Sequence, residues 1–427
     1  MTSRPTGLLR IYGVLAGGLA PMAYPRVRRK LARHGIAPER IRERMGHATL
    51  PRPVGTLVWF HAASVGESLS VLRLISQMGA QNPALDFLIT SGTGTSADLI
   101  ARRMPVRARH QFAPLDSPAA VRRFLNHWQP DAAVFVESEL WPNMLRGAAA
   151  RDIPLALLNA RISDRSARGW MRIGRTARHL LGLFAMIHTQ DARTTAHLQG
   201  LGAVSAQTGV NLKALAGPLP VDDAALDLMR DQINTRPVWV ASSTHPGEEQ
   251  VVLLAHAEIL RSHPDALLIL VPRHPDRAAE IASLIADQGL TVSQRSADDL
   301  CGQAIQVYLA DTLGETGLWY RLSPIVFLGG SFTAVGGHNP YEPAHAGAAV
   351  LHGALYSNFT GAYTAFLSHG GAQEVADAPA LAAAVSALLD DPAALSAQQA
   401  LSSGFAAVQD GQMGTLIETL SRALRLG

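Results

Sequence analysis

One cysteine, Cys301, stands in 427 residues, which excludes an internal disulfide framework or a thiolate-rich metal site and suits a reducing compartment. The simplest role for Cys301 is that of a small buried apolar side chain. No G-x-x-x-x-G-K-[ST] run occurs, so the phosphate loop of P-loop ATPases and kinases is missing. The 16 histidines are scattered without the His and carboxylate spacing of a zinc site, and no catalytic metal is expected. Aromatic residues make up only 6% and charged residues 17%. The N-terminal uncharged run, 11–25, falls short of the roughly 20 residues that span a bilayer as a helix.

What is present is an Ala- and Leu-rich chain, 48% hydrophobic, able to bury large cores. Its length exceeds the roughly 250–300 residues that one core covers, so two domains of similar size are expected. The net charge of +3 is unevenly spread. Residues 1–50 hold ten Arg and Lys against Glu39 and Glu43, leaving 27 basic and 32 acidic residues for the remainder. The run 11–25, flanked by Arg10 and by Arg26, Arg28, Arg29 and Lys30, suits a segment lying on an anionic membrane surface. A signal peptide is the rival reading, but no clear small-x-small cleavage site follows. A plain first helix of the domain is the other.

Beyond the basic segment, short apolar runs alternate with helix-like periodicity. Strands are expected at 57–60, 87–90, 111–113, 132–136, 155–158 and 186–189, and the rhythm restarts at 238–241, 267–271, 306–309, 325–328 and 349–351. This is the pattern of an α/β protein with two tandem Rossmann-like domains, each with a parallel sheet. The segment 214–237, with Pro218, Pro220 and Pro237, is expected to be a linker between domains at 51–213 and 238–427. In such folds ligands bind beyond the carboxyl ends of the strands, here in a cleft between the domains, so chemistry should cluster just after strands.

It does. His61-Ala62-Ala63-Ser64-Val65-Gly66-Glu67 follows the first strand and puts Glu67 in the first turn of a helix, where a carboxylate either compensates the helix dipole or acts in the cleft. Ser91-Gly92-Thr93-Gly94-Thr95-Ser96-Ala97 fits G-x-G-x-x-A, but after the second strand rather than the first, so an NAD site is only a rival reading there. Glu137-Ser138-Glu139 ends the fourth strand with two carboxylates that are costly unless paired or used; Arg161 could pair with one of them. In the second half, Ser243 and Thr244 precede a helix and offer hydroxyls to a phosphate, with Arg273 after the next strand. Gly329, Gly330, Ser331, Gly337 and His338 could likewise contact donor or phosphate. Glu342, one turn into a helix, can accept from ribose hydroxyls.

Taken in order, these segments resemble the Kdo transferases, which attach 3-deoxy-D-manno-octulosonic acid to a lipid A precursor in lipopolysaccharide biosynthesis. The resemblance covers the chain from its N-terminus to about residue 359 and rests on 61–67, 137–143, 159–163, 243–249, 272–275 and 329–343 together. It implies the GT-B architecture of two Rossmann-like domains facing a cleft. It also implies CMP-Kdo as donor, lipid IVA as acceptor, no metal or cofactor, no nucleic acid partner, and a place at the cytoplasmic face of the inner membrane. Glu67 corresponds to the proton acceptor, Glu137 and Lys213 to transition-state stabilisers. CMP contacts correspond to Pro272, Arg273, Leu313, Gly314, Glu315, Asn339, Pro340, Tyr341 and Glu342. The alternatives are another GT-B nucleotide-sugar transferase or epimerase and, of a different class, an NAD-dependent oxidoreductase resting on Gly92, Gly94 and Ala97.

Overall fold

A computed structural model describes residues 6–212, 215 and 217–426, with only the backbone described at Val65, Gly66, Gln409 and Asp410. Two compact units divide the chain: Met1–Ala216 together with Gly411–Gly427, and Gly217–Asp410. Each is built on one seven-stranded parallel sheet.

The first sheet contains β1 (Thr56–His61), β2 (Leu85–Ser91), β3 (Ala108–Phe112), β4 (Ala132–Val136), β5 (Leu155–Ala160), β6 (Phe184–Thr189) and β7 (Gln207–Thr208), in spatial order β3-β2-β1-β4-β5-β6-β7. The second contains β8 (Val238–Thr244), β9 (Leu267–Pro272), β10 (Val292–Gln294), β11 (Val307–Leu309), β12 (Ile325–Leu328), β13 (Ala349–His352) and β14 (Ala372–Glu374), in order β10-β11-β9-β8-β12-β13-β14. Strand order therefore reverses between β1 and β4 in the first unit and between β8 and β12 in the second. Those are the switch points where open α/β sheets bind ligands.

Helices cover both faces of each sheet, so the central strands are apolar on both sides. In the first unit, Val58, Phe60, Val134 and Val136 pack one way, while Leu57, Trp59, Ala133 and Phe135 pack the other way with Phe124 and Trp128. Each such fully buried side chain contributes about 1.5–3 kcal/mol. The expected strands all form. The three that sequence reading missed, β7, β10 and β14, are short sheet-edge strands of two or three residues rich in Gln, Thr, Ser and Glu. Half-exposed edges lack the apolar run by which a strand is recognised.

Domain boundaries differ from expectation in three places. The linker assigned to 214–237 contains the helix Asp223–Ile233, whose Leu226, Met229 and Ile233 join the core of the second unit around Trp319 and Tyr320. The closing helix Pro392–Leu424 does not stay with the second unit: Met413, Leu416, Ile417, Leu420 and Leu424 enter the core of the first. Residues 6–50 also pack into the first unit. Leu31 and Ile41 lie against Ala97 and Phe112, and the fully buried Glu43 accepts from the Phe112 amide at 2.7 Å.

The first helix, Gly7–Arg33, buries Leu9, Gly13, Ala20 and Leu31 on one face and exposes Leu8, Ile11, Val14, Leu15, Leu19 and Met22 on the other. Tyr12 ties it down by donating to Asp116 at 2.9 Å, and Asp116 in turn accepts from the Asn143 and Met144 amides at 3.0 and 2.8 Å. Among the described residues no single helix is long and apolar enough to cross a membrane.

Candidate active site

At the first switch point, Ser64 and Glu67 cap the helix Val65–Gln81 reciprocally. The Ser64 hydroxyl accepts from the Glu67 amide at 3.3 Å and donates to its carboxylate at 2.8 Å, while the other carboxylate oxygen accepts from the Ala63 amide at 2.8 Å. This is a capping box drawn back onto the strand end, and it fixes a carboxylate that is only 7% exposed. Burial raises the Glu67 pKa above the ordinary carboxylate range. The Ser64 and Ala63 hydrogen bonds oppose that, and the nearby charges of Glu139 and Glu137 add to it. A carboxyl shifted upward among other carboxylates is a better base than an ordinary glutamate.

Glu137 and Glu139 enter from the β4 end. Glu137 adopts φ +57°, a left-handed conformation that costs a non-glycine residue of order 1 kcal/mol, and so does Asn159 at φ +54°. Asn159 donates to Glu137 at 3.4 Å and accepts from the Leu212 amide at 3.3 Å, linking the ends of β4 and β5 to the turn that precedes Lys213. Glu139 is held by the buried His61, whose Nε2 lies 3.3 Å away, and by the indole N–H of Trp141. Burial resists ionisation of Glu139, yet these hydrogen bonds outweigh it and keep its pKa low. His61 is positioned by Thr90, 3.0 Å from its Nδ1. Beside them a pocket of about 350 Å³ is lined by Glu137, Ser138, Arg161, Ser163 and Trp170. Lys213 lies outside the described residues.

The glycine loop after β2 serves structure. Thr93 caps the helix Gly94–Arg102, Thr95 meets His34 at 3.1 Å, and a Cβ on Gly94 would lie 2.5 Å from the His34 ring. The N-terminal segment thus packs its His34 ring against this loop.

At the second switch point the outcome differs from expectation in an instructive way. Glu248, fully buried in the first turn of the helix Glu248–Ser262, accepts four backbone amides: His245 at 3.0 Å, Gly330 at 2.7 Å, Ser331 at 3.0 Å and Phe332 at 2.8 Å. The N–H groups of Gly330 and Ser331, expected to face a phosphate, are therefore committed to a carboxylate of the protein. Gly329 has no room for a Cβ, which would stand 2.9 Å from the Ser243 carbonyl. Ser243 is left-handed at φ +57°, and the buried Thr244 hydroxyl has no hydrogen-bond partner among the described residues.

Arg273, just past the buried Pro272, is exposed and forms no ion pair among the described residues, so its guanidinium is available to an anion. Leu313 is 78% exposed beside Gly314 at φ +91°. Glu315, expected at the nucleotide, is gripped at two points by Arg295, at 2.7 and 3.1 Å. Asn339 donates to Glu342 at 3.2 Å and accepts from the Tyr341 amide at 3.2 Å, a cap that orients the Glu342 carboxylate behind the buried Pro340. The Tyr341 ring is a core element: it stacks on Phe405 at 5.2 Å, and burial pushes its pKa up to about 12. Gly337 donates to the Gly330 carbonyl at 2.7 Å, holding His338 over that loop. Among the described residues no group of three or more His, Cys, Asp or Glu side chains is placed to hold a metal ion.

Sequence reading missed His61, His245 and Glu248. The Ser64/Glu67 and His245/Glu248 spacings of three residues were visible signals for helix starts. Three of the four partners of Glu248 lie 82 to 84 residues away and were not.

Residues 39–216 match the family described as 3-deoxy-D-manno-octulosonic-acid transferase (kdotransferase). The chain is 37% identical to the probable 3-deoxy-D-manno-octulosonic acid transferase, mitochondrial, of Arabidopsis thaliana, over 82% of this chain and 80% of that one. It is 34% identical to the 3-deoxy-D-manno-octulosonic acid transferase of Haemophilus influenzae, over 87% and 86% of the two chains. Among solved structures, a glycosyltransferase from Rickettsia africae superposes with a TM-score of 0.59 at 12% identity, covering 88% of this chain and all of that one. UDP-GlcNAc 2-epimerase from Neisseria meningitidis gives a TM-score of 0.57 at 12% identity, over 86% of this chain. At such identity these two speak for the fold alone, which is GT-B. With relatives above 30% identity covered over most of their length, the chain belongs to the 3-deoxy-D-manno-octulosonic acid transferase family.

Proposed function

We propose that the protein is an inverting glycosyltransferase that moves Kdo from CMP-Kdo to a lipid A precursor, lipid IVA, in lipopolysaccharide core synthesis. The observation that carries this reading is Glu67, a buried carboxyl of raised pKa at a sheet switch point, within the family-matched residues. In this reading Glu67 takes the proton of the acceptor hydroxyl as that oxygen attacks the anomeric carbon of Kdo. Glu137 and Lys213 stabilise the oxocarbenium-like transition state. The leaving group is a nucleoside monophosphate, which needs no strong acid, and the exposed Arg273 supplies fixed positive charge. Asn339 and Glu342 receive the ribose hydroxyls. No cofactor or metal enters the scheme.

The N-terminal helix supports attachment to the cytoplasmic face of the inner membrane, peripheral or monotopic. Its exposed apolar stripe from Leu8 to Met22 runs into Arg26, Arg28, Arg29, Lys30 and Arg33, and each basic group near an anionic surface contributes about 1 kcal/mol. A groove of about 590 Å³ beside it is lined by Arg10, Arg122, Arg146 and Arg151, with no acidic residue.

The test is Glu67→Ala. Loss of transfer with CMP affinity kept supports the assignment; unimpaired turnover removes it.

A further inference from the structure

Commitment of the Gly330 and Ser331 amides to Glu248 leaves the leaving phosphate short of donors, which directs attention to the side chains around that loop. His245, from the start of the Glu248–Ser262 helix, and His338, from the Gly337 turn, bring their Nε2 atoms to 2.9 Å. Their ring centres are 5.2 Å apart and their planes only 9° from parallel, so the rings meet edge to edge in one plane, not face to face. Such a link needs one N–H and one lone pair. It holds a single proton between two neutral rings, and if one ring is protonated at its far nitrogen the imidazolium donates to its neutral partner.

The pair sits among the groups read as donor contacts. Thr244, with its unpartnered buried hydroxyl, immediately precedes His245; a Cβ on Gly330 would stand 2.8 Å from the His338 ring; and His274 packs edge-on to His245 at 5.7 Å. The charged groups that face it are known. Arg273 and His274 come from the loop after β9, and Glu248 and Glu249 from the helix start. Both carboxylates are already engaged, Glu248 by four amides and Glu249 by Arg277 at 2.7 Å. Resting, the pair is therefore neutral: burial, reinforced by Arg273 and the neighbouring histidines, lowers His338 to about 4 and holds His245 below its usual value despite Glu248 and Glu249.

We propose that His245 and His338 form a proton-accepting pair for the leaving phosphate, binding the nucleoside monophosphate together with one proton taken from solvent. The inference rests on the CMP-Kdo reading. In that reaction the bond from the anomeric carbon to the phosphate oxygen breaks and its electron pair stays on phosphate, turning a singly charged diester into a doubly charged monoester. The new bond forms from the acceptor oxygen, whose proton goes to Glu67. The extra charge on phosphate offsets the repulsion from Arg273 and makes the histidine pair the place where a proton is gained. The pair thus supplies positive charge that appears only as the leaving group forms, which favours the transition state over the bound donor.

Calorimetric titration with CMP in Hepes and in Tris, at about pH 7.5 where free CMP is mostly dianionic, reads the proton count from the difference in heat. The native protein is expected to take up close to one proton per CMP, and cytidine, which lacks the phosphate, to take up none. His338→Asn and His245→Asn, which can hydrogen-bond but not titrate, should each abolish the uptake and weaken CMP while leaving cytidine affinity unchanged. CMP binding with no uptake, equal uptake with cytidine, or full uptake in both variants overturns the proposal. Absence of any CMP binding to the native protein overturns the nucleotide reading itself, and this inference with it.

Discussion

Glu67 serves two purposes with one carboxyl group: its oxygens close the cap of its own helix, and its burial among Glu137 and Glu139 makes it basic. Because the base proposed for Glu67 must be ionised to act, activity should rise with pH through the Glu67 pKa, and the acid limb of kcat/KM should lie above the range of an ordinary glutamate. A limb near the unperturbed value would contradict the environment described. Glu67→Gln keeps an acceptor for the Ala63 amide but cannot take a proton, and kcat should fall by about 10²–10⁴-fold. Glu248 belongs to the same scale and has a structural consequence. In Glu248→Gln the side-chain amide must face backbone donors at one of its two sites, and each buried donor left unpaired costs about 1–3 kcal/mol. Urea unfolding should show the second unit destabilised by about 2–4 kcal/mol, with the first unit unaffected. Glu67 was legible because Ser64 and Glu67 are neighbours in sequence. Glu248 was not, since its partners are distant and a glutamate early in a helix already has an ordinary electrostatic explanation.

At the scale of elements, the βα rhythm announced the central strands because burial on both faces makes them continuous apolar runs. Edge strands β7, β10 and β14 carried no such mark. The closing helix was misassigned for a related reason. Periodicity identifies which face of a helix is apolar but not which core receives it, and Met413, Leu416 and Leu420 enter a core whose strands lie more than 200 residues earlier. Leu416→Ala should therefore lower the stability of the first unit, by about 2–5 kcal/mol in chemical denaturation, and leave nucleotide binding by the second intact. The N-terminal helix makes a separate prediction. Val14 and Leu15 are 77% and 57% exposed, so changing both to Glu should leave the fold unaltered while reducing sedimentation with anionic vesicles several-fold. Undiminished vesicle binding would move the attachment elsewhere.

For the molecule as a whole, the proposed scheme divides the labour between the two switch points: a base at β1 and β4, an anion site at β8 and β12. Ligand that binds only the folded state stabilises it, by about 2.7 kcal/mol at a hundred times Kd, so CMP should raise the melting temperature and NAD should not. Function was legible from the order of short segments along the chain, whereas the division of donors within the second site was not, because Gly330 and Ser331 look alike whether they face phosphate or Glu248. The central claim is the transfer itself. Incubating the protein with CMP-Kdo and lipid IVA and weighing the lipid product tests it most directly: the account predicts a lipid heavier by at least one Kdo residue with CMP released, and none from Glu67→Gln. Unaltered lipid with intact CMP-Kdo, from active and correctly folded protein, would contradict it.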